Sequence, residues 1–275
     1  MAGHFNQIFF PSSYQELFAQ WKRYPTAVLF AGGTGLLRDQ GRQVFELPPI
    51  ALSLDKLEEM HRISRTERFL EIGAMVKLSQ IIELGKIVPA ALRSCLENIG
   101  GPQLRNMATI GGNICFPGRR LDSCTALCAL DAQLELRTIQ SSLWVSAPRF
   151  FTLHETILLA PQELLTRIRV PLDNWGYTAY KKFEGYANRS RVVLFLAKTQ
   201  KNVLSDIKIV YKTDFIWRDR DSESILIGKH LPLGRRIATD FIEHWEDYLS
   251  GAQMDELSRQ ELINFIETNV LNLSE

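Results

Sequence analysis

The chain has 275 residues, of which 45% are hydrophobic and 23% charged, and its formal net charge is +1. That length holds one large domain or two modest ones with a proper core, and the composition excludes a disordered polypeptide. A near-neutral chain has no broad field to gather nucleic acid or acidic membranes, so the expected target is a small ligand or a protein partner, with no nucleic acid and no membrane.

The N-terminus "MAGHFNQIFF" lacks a basic start followed by an apolar core, and apolar runs such as "VLFLA" around Phe195 are far too short to span a bilayer. The reading is a cytoplasmic protein. "FNQIFF" is an expected strand ended by Pro11, and Ser12 with Gln15 forms a capping box for a helix through "YQELFAQWKRY", which Pro25 stops. "AVLF" is a short strand that runs directly into the glycine turn "AGGTGLL" at 31–37. From Ile50 the pattern changes, with "ALSL", "HRIS" and "FLEIGA" as strands and "LSQIIELG" and "PAALRSCLENIG" as helices. Leu92, Cys95, Leu96 and Ile99 share one face of the latter, and Gly100 is its C-cap.

A glycine-rich stretch, "IGGPQLRNMATIGGNIC" from Ile99 to Cys115, follows at once. Then come a helix "DSCTALCALDA", a strand "QLELRT", and the apolar runs "LWVSA", "TILLA" and "LLTRIRVP". After Pro171 the turn-rich "DNWG" separates off a last section with strands "YTAYKKFE", "RVVLFLAKT" and "DIKIVY", then mostly helix. The change of style implies a second domain. No internal repeat, low-complexity tract or long linker is present.

Successive glycines permit positive φ and remove the Cβ atoms that keep a ligand away from backbone amides. A nest of such N–H groups neutralises phosphate without lysines, in keeping with a chain that has no basic cluster. "AGGTGLL" has this form after a strand, and so has "TIGGN", where the Thr109 hydroxyl and the Asn113 amide add directional bonds. Two such loops can hold one diphosphate from both sides. Neither matches a G-x-G-x-x-G fingerprint, and no G-x-x-x-x-G-K-[ST] occurs, which argues against a Rossmann NAD site and a P-loop.

The ordered blocks "FAGGTGLL", "LEIGAMVKLSQI", "IGGPQLRNMATIGGNI", the helix pattern from Asp122 to Ala132 and "ELLTRIRVP" resemble the FAD-binding subunit of molybdenum hydroxylases. That family includes the flavin subunits of xanthine dehydrogenase, aldehyde oxidase and carbon monoxide dehydrogenase. "YKKF" at 180–183 resembles the start of the family's C-terminal domain. The resemblance implies an α+β fold: a PCMH-type FAD-binding domain at 1–173, made of two α+β lobes (about 1–55 and 56–173), then a smaller domain at 174–275 with a three-stranded antiparallel sheet and helices. It implies noncovalent FAD, held by Phe30, Ala31, Gly32, Gly33, Thr34, Gly35, Leu36 and Leu37 in the first loop. The second loop supplies Thr109, Ile110, Gly111, Gly112 and Asn113, with Asp122 and Lys182 near the flavin. Asp122 also reads as a helix N-cap for "SCTALCAL". The implied partners are a molybdenum-cofactor subunit and a 2Fe-2S subunit, with NAD+ or another acceptor taking the electrons.

The sequence departs from the family at Gly35, where relatives carry a polar residue, at "CFPGRRL" with Phe116, Arg119 and Arg120, and at "EGYANRSR" after "YKKF". These departures keep open a non-catalytic assembly protein that has lost FAD. A self-contained flavin reductase of the same broad fold, acting on a UDP-linked amino sugar, is the other alternative. Cys95, Cys115, Cys124 and Cys128 form no C-x-x-C pair and give poor support to zinc or iron–sulfur, and Cys124 and Cys128, four apart on an expected helix, read as buried free thiols. His4, His61, His154, His230 and His244 are scattered, so no catalytic or metal residue is assigned.

Overall fold

A computed structural model describes residues 7–35, 48–116, 121–152, 159–184, 190–252 and 254–273. The N-terminal part is a three-stranded parallel sheet in the order β1-β3-β2, with β1 (Gln7–Phe9), helix α1 (Tyr14–Arg23), β2 (Val28–Phe30) and β3 (Ile50–Ser53). Helix α1 starts at Tyr14 as read, but its cap lies one residue later than the sequence suggests. Ser13 is the N-cap and accepts from Glu16 N, while Glu16 reaches back to Ser12 N at 2.8 Å. The box therefore uses Ser13 and Glu16 in place of Ser12 and Gln15, and it turns Leu17 and Phe18 onto the sheet, where both are buried.

The second part is a five-stranded antiparallel sheet in the order β4-β5-β8-β6-β7. Its elements in chain order are β4 (Ile63–Arg65), β5 (Phe69–Gly73), helices α2 (Leu78–Glu83), α3 (Ala90–Glu97), α4 (Pro102–Arg105), α5 (Ile110–Ile114) and α6 (Ser123–Ala129), then β6 (Gln133–Arg137), β7 (Ser142–Ser146), α7 (Ala147–Thr152) and β8 (Leu164–Pro171). The "HRIS" strand shifts to Ile63–Arg65 because Glu58–His61 forms a 3-10 turn. Of "TILLA", residues 156–158 lie outside the described residues, and Leu159 and Ala160 are not in a strand. Every residue of α6 is buried, Cys124 and Cys128 included, and all four cysteines are free thiols.

The last part is a four-stranded antiparallel sheet in the order β12-β11-β10-β9: β9 (Tyr177–Phe183), β10 (Arg191–Gln200), β11 (Val203–Lys212) and the two-residue β12 (Ile216–Trp217). The three expected strands are present, and β12 adds a short fourth pairing, Tyr211 with Trp217 and Lys212 with Ile216. Helices α8 (Arg220–Leu226), α9 (Arg235–Ser250) and α10 (Glu256–Asn272) cover one side. Strand side chains alternate between faces, and β10 shows why its sequence is apolar throughout. Val192, Leu194 and Leu196 join the core of the preceding part, whereas Val193, Phe195 and Ala197 join the core beneath the helices. On the helix side, Phe241, Trp245 and Leu249 recur at the four-residue spacing of one helical face, and all are 0% exposed.

Polar ties fix the C-terminal sheet to the rest. Asp131, at the end of α6 with φ 49°, is gripped by Lys208 Nζ at 2.5 Å and Arg218 at 2.9 Å. Among the described residues no helix is long and apolar enough to cross a membrane. Phe195 is 0% exposed and packs edge-on against Tyr177 with ring centroids 5.9 Å apart. Phe195→Ala should therefore cost about 3–5 kcal/mol in urea unfolding; a loss below about 1 kcal/mol would mean that the two-sided core tolerates the cavity by collapse.

Candidate functional site

The first glycine segment leaves β2 at Phe30. Gly33 has φ +70°, a conformation that side-chain-bearing residues rarely adopt, and Thr34 and Gly35 then take helical backbone. At position 32 a methyl group would stand 2.0 Å from the carbonyl oxygen of Met107 and 3.2 Å from Cα of Ala108, so this turn rests main chain on main chain. Among the described residues, the N–H groups of Gly32, Gly33, Thr34 and Gly35 donate to no acceptor outside helix and strand pairing. These four residues border a cavity. Leu36 and Leu37 lie outside the described residues.

The second segment is built differently. Leu78 N donates to Ala108 O at 3.0 Å, Ile110 N to Val76 O at 2.9 Å and Gly111 N to Ala74 O at 2.8 Å. The stretch 108–111 is thus stitched to 74–78. Thr109 is the N-cap of α5, its Oγ1 accepting from Gly112 N at 3.1 Å, and Asn113 N donates to Thr109 O at 2.9 Å. The amides from Ile110 to Asn113 are therefore spent inside the protein, and the nest read in "TIGGN" is corrected: the segment is the opening turn of a capped helix. Gly111 is required by packing, since a methyl there would lie 2.6 Å from Cβ of Ala74. Ile110 is 0% exposed in the core and does not line the cavity, another correction. Thr109, Gly111, Gly112 and Asn113 do line it, and Asn113 Oδ1 accepts from Ser123 Oγ.

Between the two segments and the start of β8 lies a cavity of about 1330 Å³. This exceeds the roughly 300–1,000 Å³ of ordinary small-molecule pockets and suits a dinucleotide. Phe30, Ala31, the four residues Gly32 to Gly35, Asp122 and Lys182 all border it. Its lining includes apolar Trp21, Pro25 and Ala27, and a polar group in which Asp122 contacts both Lys182 and Ser190. No local signal marks the wall from Leu159 to Leu165, because its residues matter only once β8 is placed in the sheet. Phe116 is also new to the site. It is 7% exposed, and its ring occupies the space beside Gly35, 2.6 Å from where a methyl group at 35 would sit. The polar side chain missing at Gly35 is replaced in space by an aromatic ring.

Asp122 is the N-cap position of α6 by location but makes no capping hydrogen bond, so that reading of its side chain is corrected. Its carboxylate turns instead to the C-terminal sheet. Lys182 Nζ, on β9, is 2.9 Å from Oδ2; Lys212 Nζ, on β11, is 2.9 Å from Oδ1; Ser190 Oγ donates to Oδ1 at 2.6 Å. Lys182 Nζ also donates to Asn98 O at 2.8 Å, the C-cap residue of α3, where the helix end favours a cation. Burial alone would raise the Asp122 pKa, but the Lys212 charge and the hydrogen bonds from Ser190, Lys212 and Lys182 outweigh it and hold the carboxyl below its ordinary value. In the cavity wall, burial pushes the Cys115 thiol up to about 12, with nearby Cys124 adding to the rise, so it is a poor nucleophile at neutral pH. Arg119 and Arg120, the segment 185–189, His4 and His154 lie outside the described residues. Among the described residues no cluster of His, Cys, Asp and Glu could hold a metal.

Comparison with known proteins bears on this geometry. The family described as the FAD binding domain in molybdopterin dehydrogenase matches residues 3–173. The glyceraldehyde dehydrogenase medium chain of Sulfolobus acidocaldarius is 30% identical over 207 residues, 73% of this chain and 73% of that protein. Xanthine dehydrogenase/oxidase of Gallus gallus is 30% identical over 186 residues, covering 62% of this chain but only 14% of that much longer protein. In fold, a solved carbon monoxide dehydrogenase chain from Hydrogenophaga pseudoflava superposes with a TM-score of 0.81 at 23% identity, covering 98% of this chain and 96% of that one.

Two outcomes follow from the contacts alone. Gly35→Ala should destabilise the ligand-free protein by about 1–3 kcal/mol through overpacking, and adding Phe116→Ala should recover part of that loss. Thermal or chemical unfolding of the four-member cycle measures it, and additive effects would show that ring and loop do not press on each other. Because the Asp122 pKa is depressed on folding, its stabilisation is complete above the unfolded value of about 3.9 and is lost as pH falls below it. Acid unfolding of Asp122→Asn should accordingly show a shallower slope below about pH 4 than the parent chain.

Proposed function

Because this chain belongs to the family of FAD-binding domains of molybdopterin dehydrogenases, we propose that it is the FAD-bearing, electron-transferring subunit of a molybdenum hydroxylase. The observation that carries the reading is the row of free peptide N–H groups from Gly32 to Gly35 on the wall of a cavity of about 1330 Å³. The residues fit the cofactor. Main-chain amides suit a diphosphate in a site with little cationic charge. Apolar lining at Trp21 and Pro25 suits a base, and the polar group of Asp122, Lys182 and Ser190 suits the heteroatom-rich edge of an isoalloxazine.

When bound, FAD supplies the redox chemistry, accepting electrons and passing them on. The chain's own residues bind and orient it. Gly32 to Gly35 would hold the diphosphate, and Thr109 and Asn113 line the cavity beside them. The Phe116 ring packs beside Gly35. Asp122 and Lys182 form the polar group, joined to α3 through Asn98. Attachment is noncovalent in this reading, since no histidine or cysteine stands within or beside the first glycine loop.

That relatives are named a medium chain and an FAD-subunit supports a multi-subunit complex, and we place the molybdenum cofactor and the 2Fe-2S clusters on its other subunits. We place NAD+ or a comparable carrier as final acceptor. Division into an FAD-binding domain at 1–173 and a C-terminal domain at 174–275 belongs to the same proposal, as does a cytoplasmic setting, which four free cysteines support. A second reading, an assembly protein without FAD, is favoured by the Phe116 ring standing against the first loop.

Reconstitution decides between them. After incubation with excess FAD and removal of the unbound portion, the chain should retain about one acid-releasable FAD, with a flavin absorption spectrum. Thr34→Glu, which sets a carboxylate on the wall beside the amides, should lower retention at least tenfold with unchanged melting. Absence of retained flavin in the parent chain would establish the assembly reading.

A further inference from the structure

The glycine-rich stretch from Ile99 to Cys115 opens with a pair, Gly100 and Gly101, at the end of α3. Gly100 has φ +54° and borders the cavity together with Ile99 and Leu104. The four successive carbonyls from Glu97 to Gly100 all accept from cationic side chains. Arg105 Nη1, on α4, donates to Glu97 O at 3.0 Å, Ile99 O at 3.3 Å and Gly100 O at 2.5 Å, and Lys182 Nζ donates to Asn98 O at 2.8 Å. Arg105 is itself no part of the cavity lining. These peptides are trans, so C=O and N–H point in opposite directions. Turning the Ile99 and Gly100 carbonyls toward Arg105 therefore turns the N–H groups of Gly100 and Gly101 away from it. Among the described residues neither N–H has an acceptor, whereas Ile99 N donates to Leu96 O at 3.2 Å.

We propose that the Gly100 N–H is a further flavin-binding donor, aimed into the cavity at an oxygen of the isoalloxazine, and that Arg105 is the residue that positions it. The inference rests on FAD occupying this cavity. The ring is favoured over the diphosphate because neighbouring Asn98 is tied to Lys182, a member of the polar group that suits the ring edge. Peptide orientation decides the sign of the contact. With its carbonyl on Arg105 the Ile99–Gly100 peptide offers a donor, and turned over it would set an acceptor against an oxygen-rich edge. The left-handed backbone at position 100 favours glycine, and a methyl group there would stand 3.2 Å from Cδ1 of Leu104. Both glycines are exposed, so water meets these N–H groups in the ligand-free chain. Gly101 lies outside the lining, and its N–H stays with water.

The test measures, on the full chain, the dissociation constant of FAD by flavin fluorescence, the visible spectrum of the bound fraction, and displacement of FAD by ADP, which carries the diphosphate but no ring. Arg105→Met keeps the bulk of the side chain and removes its donors. It should raise the FAD dissociation constant about tenfold, the scale of one hydrogen bond lost, and move the visible bands toward those of free FAD. Arg105→Lys, whose ammonium group has three donors for the three carbonyls, should restore both. The dissociation constant of ADP should be the same in Arg105→Met and the parent. Unchanged FAD affinity and spectrum in Arg105→Met overturn the proposal. Equal losses for FAD and ADP do the same, because a general collapse of the wall weakens both ligands. Should Arg105→Met fail to fold, Gly100→Ala, which opposes the left-handed backbone, carries the same contrast between FAD and ADP. Failure of the parent chain to retain any FAD is a different result: it removes the functional reading itself and this inference with it.

Discussion

The site depends on two stretches of main chain meeting without side chains between them. Gly32 lies against the Met107 carbonyl, and Gly111 lies against Ala74, whose carbonyl accepts its N–H at 2.8 Å. Close-packed interiors do not absorb an added methyl group without movement. These contacts set the distance from the small parallel sheet to the five-stranded sheet, and so the width of the cavity. They also divide the work of the two glycine segments. One leaves its amides open to a ligand, while the other spends its amides on Val76, Ala74 and Thr109 to hold the frame.

The C-terminal sheet closes this frame from the far side. Because β10 is buried on both faces, it belongs to two cores at once, and no single plane separates the C-terminal strands from the preceding part. Apolar packing of that kind is non-directional; direction comes from charge. Asp122 reaches Lys182 and Lys212, and Asp131 reaches Lys208 and Arg218, so both ends of α6 are tied to the C-terminal part. A buried ion pair adds little net stability but fixes register well. Here it brings a charged cluster from the last third of the chain to a cavity made largely by the first two thirds.

Much of the architecture is legible locally. Strand period and Pro breaks place β1, α1 and β2 to within about a residue or two, with the capping box displaced by one residue, and the continuous apolar run of β10 announces burial on two sides. The candidate site is partly legible as well, since glycine next to a strand end is a local signal for close backbone approach. Which partner each glycine approaches is not a local property. Nothing in "TIGGN" reveals that residues 74–78 take its amides, nor in "FPG" that Phe116 fills the gap at Gly35.

The sequence by itself determined the α+β element order, the two glycine segments, the buried thiols and the family resemblance, because each is carried by residues close together along the chain. Only the tertiary structure decided which amides remain free, that Ile110 belongs to the core, and that Asp122 serves lysines instead of capping its helix. Asp122 and Lys212 are 90 residues apart in sequence. A hydrogen bond between such groups depends on sheet register and on the docking of one core against another, and neither is encoded in any short stretch that contains only one of the partners.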